Sequence, residues 1–228
     1  TILSAKAGGL DLFVLDAPHL YDRDGGPYGD ALGKDWADNW MRFAALSKAA
    51  ANIAEGVIPA FVPDIVHAHD WQAALAPAYL KYGKAHATPS VMTVHNLAFQ
   101  GQYAADIFPA LGLHESAYSV DGVEYYGGVG YLKAGLQCAW AITTVSPTYA
   151  QEIRTPEFGM GLDGLINARQ GQVHGIVNGI DADVWNPETD ARIARNYSAK
   201  STAGREANRK ALAEKFKLDD GDGPVFAI

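Results

Sequence analysis

Short apolar runs alternate along this chain with longer stretches in which apolar residues recur every three or four positions. The apolar runs predict buried strands at residues 10–15, 64–69, 91–94, 141–146 and 173–180. The helical spacing is clearest at residues 36–54, and further helices are expected at residues 71–82, 131–140, 147–153 and 206–217. Strands that alternate with helices in this way are typical of an α/β fold with a parallel sheet.

Polar side chains follow two neighbouring strands of this sheet, at the point where each strand ends. Asp70 comes directly after the strand at 64–69, and His95 and Asn96 come after the strand at 91–94. A strand–helix–strand unit makes its two strands parallel neighbours. Because open parallel sheets bind ligands beyond the carboxyl ends of their strands, we expect these three side chains to face one crevice.

The segments between these elements are predicted to be loops or irregular structure. Residues 16–34 are rich in glycine, proline and aspartate, and they form a loop long enough to be functional. Residues 101–126 lack a clear period and are expected to contain short helices, whereas residues 181–203 are polar and irregular. A further strand is expected to begin at residue 225.

Composition and charge narrow the class of protein. The 228 residues are 48% hydrophobic and 19% charged, which fits a packed globular core. A net charge of −8 argues against a general nucleic-acid surface. No apolar run approaches the roughly 20 residues that span a bilayer. Cys138 is the only cysteine, so an internal disulfide is excluded and a reducing cytoplasm is expected. We therefore expect no nucleic-acid partner and no membrane partner.

Two other interpretations apply to the strand that ends at Asp70. His67 and His69 lie at positions i and i+2, so they point the same way and, with Asp70, form a partial metal-ligand set. Alternatively, both histidines are buried, hydrogen-bonded core residues and Asp70 caps the following helix. Because the sequence supplies no further ligand at the required positions, we expect no metal.

Several amide side chains are candidates for the same crevice. His95 and Asn96 offer donors and acceptors that suit a hydroxyl-rich ligand, and Gln100 adds another amide nearby. The alternative is a turn in which Asn96 only caps the backbone. Asn178, at the end of the predicted strand 173–180, is expected to face a ligand or to form a simple turn with Gly179. Residues 159–164 match G-x-G-x-x-G, but they follow no predicted strand and are interpreted as a flexible loop.

At these residues the chain resembles the family of bacterial glycogen synthases and plant starch synthases. Each matching segment is weak by itself, but together the segments are highly specific and cover most of the chain. They occur in family order at residues 21–30, 38–43, 67–72, 93–101, 132–136, 144–153 and 175–181.

The resemblance implies a doubly wound, Rossmann-like domain of a two-domain GT-B glycosyltransferase, with the second domain truncated. It implies a retaining glucosyltransferase that moves glucose from ADP-glucose to the non-reducing end of an α-1,4-glucan such as glycogen, without a cofactor or metal. By this resemblance the catalytic residues would be Asp70 and His95. The substrate-binding residues would be Asn96, Asn178 and Tyr28, and Gln100 is added to them because it lies near the same crevice.

The resemblance also implies a domain division. Residues 1–183 would form the N-terminal domain that binds acceptor and glucosyl group, without its first strands. Residues 184–204 would be a linker, and residues 205–228 would begin the C-terminal nucleotide-binding domain. The diphosphate-binding residues of the family are expected beyond Ile228, so we expect this chain alone to be inactive.

One apparent match to the family and two alternative functions need to be considered beside this hypothesis. Residues 6–10 look like the family's Lys-x-Gly-Gly-Leu donor loop, but they run directly into the strand at 10–15, so we interpret the match as coincidence. A non-catalytic glucan-binding module would use the same amides and exposed aromatic residues such as Tyr28 and Phe99. A GT-B glycosyltransferase that uses UDP-sugars is the other alternative.

Overall fold

A computed structural model describes residues 1–219, 221 and 223–226 of the chain. The chain divides into two compact units, Thr1–Val177 and Asn178–Ile228. The domain boundary expected at residues 183 and 184 therefore lies inside the second unit. Among the described residues, no helix combines the length and the apolar character that crossing a bilayer requires.

The regular elements follow the predicted alternation of strands and helices. The strands are β1 (Ile2–Ala7), β2 (Leu10–Leu15), β3 (Val66–His69), β4 (Ser90–Val94), β5 (Gln102–Tyr103), β6 (Glu124–Tyr125), β7 (Gly128–Gly130), β8 (Ala141–Thr144) and β9 (Val173–Gly175). The helices are α1 (Pro18–Tyr21), α2 (Asn39–Ala54), α3 (Asp70–Ala73), α4 (Leu75–Lys81), α5 (Tyr131–Cys138), α6 (Pro147–Glu152), α7 (Asp163–Ala168) and α8 (Gly204–Phe216). Short 3₁₀ helices lie at Ala105–Leu111, Glu115–Ala117 and Gln170–Gln172.

The central sheet is parallel and has the strand order β3-β4-β8-β9. Its register aligns Ala68, Met92, Ile142 and Val173 in one row, of which the first three are buried. Helices cross from each strand to the next, and α4 packs against both α2 and α5. The predicted α/β class with a parallel sheet is confirmed.

The predicted helix at 71–82 is two helices, α3 and α4, that meet at Ala74. Pro77 explains the break, because its nitrogen cannot donate to the carbonyl of Ala73 and its ring displaces that carbonyl. The predicted helix at 36–54 begins at Asn39, and it buries Phe43, Ser47 and Ala54 as its spacing predicts.

The strand at 10–15 is present, but the prediction that it is buried is wrong. It forms an antiparallel hairpin with β1 in which Ala7 pairs with Leu10, and all six of its residues are exposed or half-buried. Gly8 and Gly9 make the two-residue turn with φ of +57° and +79°, the sign that a type I′ turn requires at both positions. The resemblance of residues 6–10 to a donor loop therefore falls on a hairpin turn.

Two other elements differ from the sequence prediction. A small antiparallel sheet, β5-β7-β6, has two of its three strands in the region 101–126, which was expected to contain irregular structure and short helices. The strand predicted at 173–180 ends at Gly175, so Asn178 does not follow a strand directly. The segment 159–164 follows helix α6 rather than a strand. Residues 159–162 are loop, as expected, whereas residues 163 and 164 begin helix α7.

The second unit contains helix α8, which matches the helix predicted at 206–217. Its residues 181–203 form neither helix nor strand, as expected. The strand expected at 225–228 includes Ala227 and Ile228, which lie outside the described residues. Val225 and Phe226 are described and have no strand geometry.

Candidate functional site

The carboxyl ends of β3 and β4 are tied together by the side chain of Asp70. Its Oδ1 accepts a hydrogen bond from the backbone N–H of His95 at 2.7 Å. Asp70 has a φ of +53°, a left-handed conformation that is uncommon for residues other than glycine. No side chain caps helix α3, so the interpretation of Asp70 as a helix cap is wrong. The Asp70 carboxylate instead lies at the carboxyl ends of β3 and β4.

Three histidines form a row along the same edge. The rings of His67 and His69 are 4.2 Å apart, and Nδ1 of His69 lies 3.2 Å from Nε2 of His95. His67 Nε2 is 2.6 Å from the hydroxyl of Thr93. His67 and His69 are exposed, so their interpretation as buried core residues is wrong. Partial burial lowers the pKa of His67, and positive charge on His69 and His95 lowers it further.

The loop after β4 is held by three side chains. Asn96 Oδ1 accepts from Ala98 N at 2.9 Å, which is the turn expected as the alternative for Asn96. The hydroxyl of Tyr149 accepts from Leu97 N at 3.1 Å, and Gln100 Nε2 donates to Leu97 O at 3.2 Å. The side-chain oxygen of Asn96 is therefore bonded within the loop. Its Nδ2 donates to no protein acceptor among the described residues, 1–219, 221 and 223–226.

Gln100 is a bridge between two loops. Its Nε2 also donates to the carbonyl of Met160 at 3.0 Å, and its Oε1 accepts from Gln102 at 2.8 Å. Both ends of this amide thus bind other parts of the protein. The structure indicates that Gln100 positions the loop, and its predicted role in binding substrate stays a prediction.

A cavity of about 430 Å³ opens at the carboxyl ends of these strands. It is lined by Tyr28, Asp35, Asp70, Trp71, Gln72, Asn96 and Phe99. The structure thus brings together Tyr28, Asp70 and Asn96 among the predicted site residues. The ring of His95 lies against His69 and outside this lining, although its backbone is bound to Asp70. Asn178 belongs to the second unit.

Tyr28 reaches the cavity because its loop is anchored to the start of helix α2. Its carbonyl accepts from Asn39 Nδ2 at 2.8 Å and from Trp36 N at 3.1 Å. Arg23 makes two hydrogen bonds of 2.9 Å to the carboxylate of Asp38, the residue before α2. The paired Arg23 guanidinium lowers the pKa of Asp38. The segment predicted as a loop at 16–34 contains the short helix α1, and its Tyr28 forms an ordered wall of the site.

Trp71 forms the floor between this cavity and the core. Its ring makes an edge contact with Phe43 at a centroid distance of 4.7 Å, and it also lies near Tyr103 and Tyr131. Burial raises the pKa of Tyr103 to about 12, and the nearby charge of Asp35 contributes to the shift. An aromatic layer with a carboxylate at its edge thus underlies the site.

Sequence reasoning did not assign Asp35, Trp71 or Gln72 to the site. Trp71 and Gln72 directly follow Asp70, so their position in the first helical turn after β3 could have predicted that they lie at the site. Asp35 gives no such signal, because only the fold of the loop brings it to the sheet. Within the described ranges, no group of three or more histidine, cysteine or acidic side chains is arranged to hold a metal.

The sequence model of the family described as the starch synthase catalytic domain matches residues 1–168. This range is well over half of the chain and includes every residue that lines the cavity. The chain belongs to this family. The resemblance to glycogen and starch synthases is therefore confirmed, and so is the fold class that it implied.

Members of this family are similar to the chain over its whole length. A glycogen synthase of Mesorhizobium japonicum is 64% identical over 100% of this chain, which spans 47% of that protein. A glycogen synthase of Novosphingobium aromaticivorans is 58% identical, again over 100% of this chain and 47% of the relative. The chain thus spans about half the length of these curated relatives.

A solved structure from the same family has the same fold. It is the catalytic domain of starch synthase IV from Arabidopsis thaliana, bound to ADP and acarbose. It superposes with a TM-score of 0.77 at 31% identity, covering 97% of this chain and 45% of that one.

Proposed function

We propose that this chain is the acceptor- and glucosyl-binding part of a retaining glucosyltransferase that extends an α-1,4-glucan from ADP-glucose. The observation that carries the proposal is the cavity at the carboxyl ends of β3 and β4. There the Asp70 carboxylate and the Asn96 amide stand beside the aromatic rings of Tyr28, Trp71 and Phe99. Membership of the starch synthase family supports the same reaction.

The composition of the cavity suits a sugar. Carboxylates accept hydrogen bonds from hydroxyl groups, and the Nδ2 group of Asn96 donates to them. The flat rings pack against the C–H faces of a sugar, where a purely polar wall would leave apolar surface in contact with water. We assign Asp70 to orienting the acceptor hydroxyl and His95 to a hydrogen bond with the glucosyl group.

The same lining explains why we expect this chain alone to be inactive. Glycosyl transfer passes through a cationic sugar ring, while the leaving diphosphate accumulates negative charge. Oriented cations and amide donors would supply the main stabilisation of that charge. The lining contains two carboxylates, Asp35 and Asp70, and no lysine or arginine. The cations are therefore expected in the part of the relatives that this chain does not span.

Replacement of Asp70 in the full-length protein tests the proposal. We expect Asp70→Ala and His95→Ala each to lower turnover about a hundredfold or more, as the loss of a positioned hydrogen-bonding group does in other enzymes. His86→Ala is the matched control, because His86 is exposed and precedes β4 at the opposite end of the strand. The rate is measured as glucose incorporation into glycogen from labelled ADP-glucose.

Four outcomes separate the alternatives. Near-normal turnover in a folded Asp70→Ala variant would remove Asp70 from the site. Incorporation by the 228-residue chain alone would contradict the split of functional groups. Preference for UDP-glucose over ADP-glucose would identify a different donor, and glucan binding without any transfer by the full-length protein would identify a binding module. The expected cytoplasmic location stays a prediction that cell fractionation can test.

A further inference from the structure

The ring of His69 is bonded to the ring of His95 across the ends of β3 and β4. Nδ1 of His69 lies 3.2 Å from Nε2 of His95, a distance at which two ring nitrogens share one proton in a hydrogen bond. The strand register explains the contact. His69 pairs with Thr93, and His95 follows two residues later, on the same side by the alternation of a strand.

This contact occupies one of the two ring nitrogens of His95. The other, Nδ1, makes no hydrogen bond to any group in the part of the chain that the structure describes, so it is the nitrogen left for a substrate atom. A neutral imidazole has one donor and one acceptor nitrogen. What Nδ1 of His95 can offer is therefore linked to the proton between the two rings.

His69 is itself held in place by neighbouring side chains. Its ring packs against the ring of His67 at a centroid distance of 4.2 Å. Nε2 of His67 lies 2.6 Å from the hydroxyl of Thr93, which in turn lies 2.5 Å from the hydroxyl of Thr143. These polar groups form a row across β3, β4 and β8, and the row keeps the His67 ring against His69.

The backbone of His95 is fixed separately from its ring. Asp70 Oδ1 accepts from His95 N at 2.7 Å, so the position of the His95 Cα does not depend on His69. The His95 side chain is exposed, and its χ angles would otherwise be free to change. Within the described ranges, the bond to His69 is the one hydrogen bond that this side chain makes. The direction of the His95 ring thus depends on His69.

We propose that His69 is a positioning residue, which holds the His95 ring through Nε2 so that Nδ1 is directed to the glucosyl group during transfer. The inference rests on the proposed function, in which His95 binds that group. His69 itself is assigned no contact with the substrate. A misdirected His95 ring should cost most in the transition state, where the geometry is tightest, so turnover should fall while substrate binding changes little.

Paired substitutions of His69 in the full-length protein separate positioning from packing. We expect His69→Ala to lower kcat about ten- to hundredfold, because a displacement of about 1 Å near the reacting atoms can cost that much. Asparagine carries its amide atoms on Cγ, where histidine carries Nδ1, so His69→Asn should recover most of the turnover. Glutamine carries its amide one atom further out, so His69→Gln should stay nearly as slow as His69→Ala. KM for ADP-glucose and KM for glycogen should each change less than about twofold.

His174→Asn is the matched control. His174 is an exposed histidine of β9, and the register of the sheet places it in the same row as His69. Three strand spacings of about 4.8 Å separate the two residues, so His174 lies roughly 14 Å from His69 and too far away to hold the His95 ring. Turnover in this variant should stay close to that of the wild type.

Two kinetic results would overturn the inference. Near-normal turnover in His69→Ala would show that the His95 ring needs no support. Equal turnover in His69→Asn and His69→Gln would show that His69 only fills space, since a packing role does not distinguish the two amide positions.

Failure of the proposed function is recognised separately, because the wild-type protein would then transfer no glucose. Nitrogen-15 NMR of histidine-labelled protein decides the pair in that case. The ring resonances of His95, assigned by their loss in His95→Ala, should shift in His69→Ala and stay unchanged in His174→Asn. Unchanged His95 resonances in His69→Ala would contradict the hydrogen bond between the rings.

Discussion

Gly101 is the position at which one added methyl group should disturb both the fold and the site. It has a φ of +61°, and a Cβ built there would lie 2.3 Å from Cε3 of Trp71. Ordinary carbon contacts are about 3.5–4.0 Å, so the Trp71 ring would have to move by roughly 1 Å or more. Trp71 is the floor of the candidate site, and its ring already packs against Phe43.

The expected magnitude for Gly101→Ala has two parts. The left-handed backbone costs about 1–2 kcal/mol for a residue with a Cβ, and overpacking against Trp71 adds about 1–3 kcal/mol. Gly112→Ala is the matched control, because Gly112 has a φ of +65° and nothing within 4 Å of its Cβ position. We expect the control to lose only the backbone part. The difference between the two variants therefore isolates the contact with Trp71.

The assay is urea unfolding of the chain, followed by far-ultraviolet circular dichroism so that tryptophan changes do not alter the signal. With a slope of about 2 kcal/mol/M, the two variants should differ in midpoint by roughly 0.5–1.5 M. Repeating Gly101→Ala in a Trp71→Leu background should remove most of this difference, since the coupling energy resides in the pair. Equal midpoints for Gly101→Ala and Gly112→Ala would refute the steric reasoning.

Two further predictions concern the walls of the site. Tyr149→Phe removes the hydroxyl that accepts a hydrogen bond from Leu97 N, and urea unfolding should show a destabilisation of about 1 kcal/mol. In the full-length protein the same substitution should raise KM for the glucan acceptor. An unchanged KM would show that substrate binding does not depend on this hydrogen bond. Because Arg23 lowers the pKa of Asp38, the pair should stabilise the fold above the unfolded pKa of about 3.9, and this contribution should disappear as pH falls through the lower folded value. The urea midpoints of wild type and Asp38→Asn should thus differ at pH 7 and converge once the pH falls below the lowered pKa of Asp38, and a gap that widens in acid would contradict the assignment.

The parts of the fold that sequence predicts well are those with a long, regular pattern. The strand–helix–strand unit around Asp70 and the helix α2 stripe were predictable because burial on one side imposes a period over many residues. The strands β5, β6 and β7 are two or three residues long, too short to show any period. The break at Ala74 could have been found from Pro77, whose missing N–H falls three residues after it.

The residues of the candidate site likewise divide into those that a regular sequence pattern predicts and those that it does not. Asp70 and Asn96 were found because strand tips in a parallel sheet point to one edge. Asp35 lies in a loop whose path depends on the Arg23–Asp38 pair and on contacts of Tyr28 with α2, none of which has a periodic signal. Asn178 was assigned through a strand that ends earlier than predicted, at Gly175. Its role stays a prediction.

The left-handed backbone at Asp70 has a consequence for how this protein balances folding against chemistry. Glycine would adopt that conformation at lower free energy, by about 1–2 kcal/mol, but it would lose the bond to His95 N, which contributes a similar amount. The two effects nearly cancel. Thermodynamic stability alone therefore does not favour aspartate over glycine at this turn. A screen for thermostable variants should accept Asp70→Gly as a neutral substitution, although it removes the carboxylate from the site.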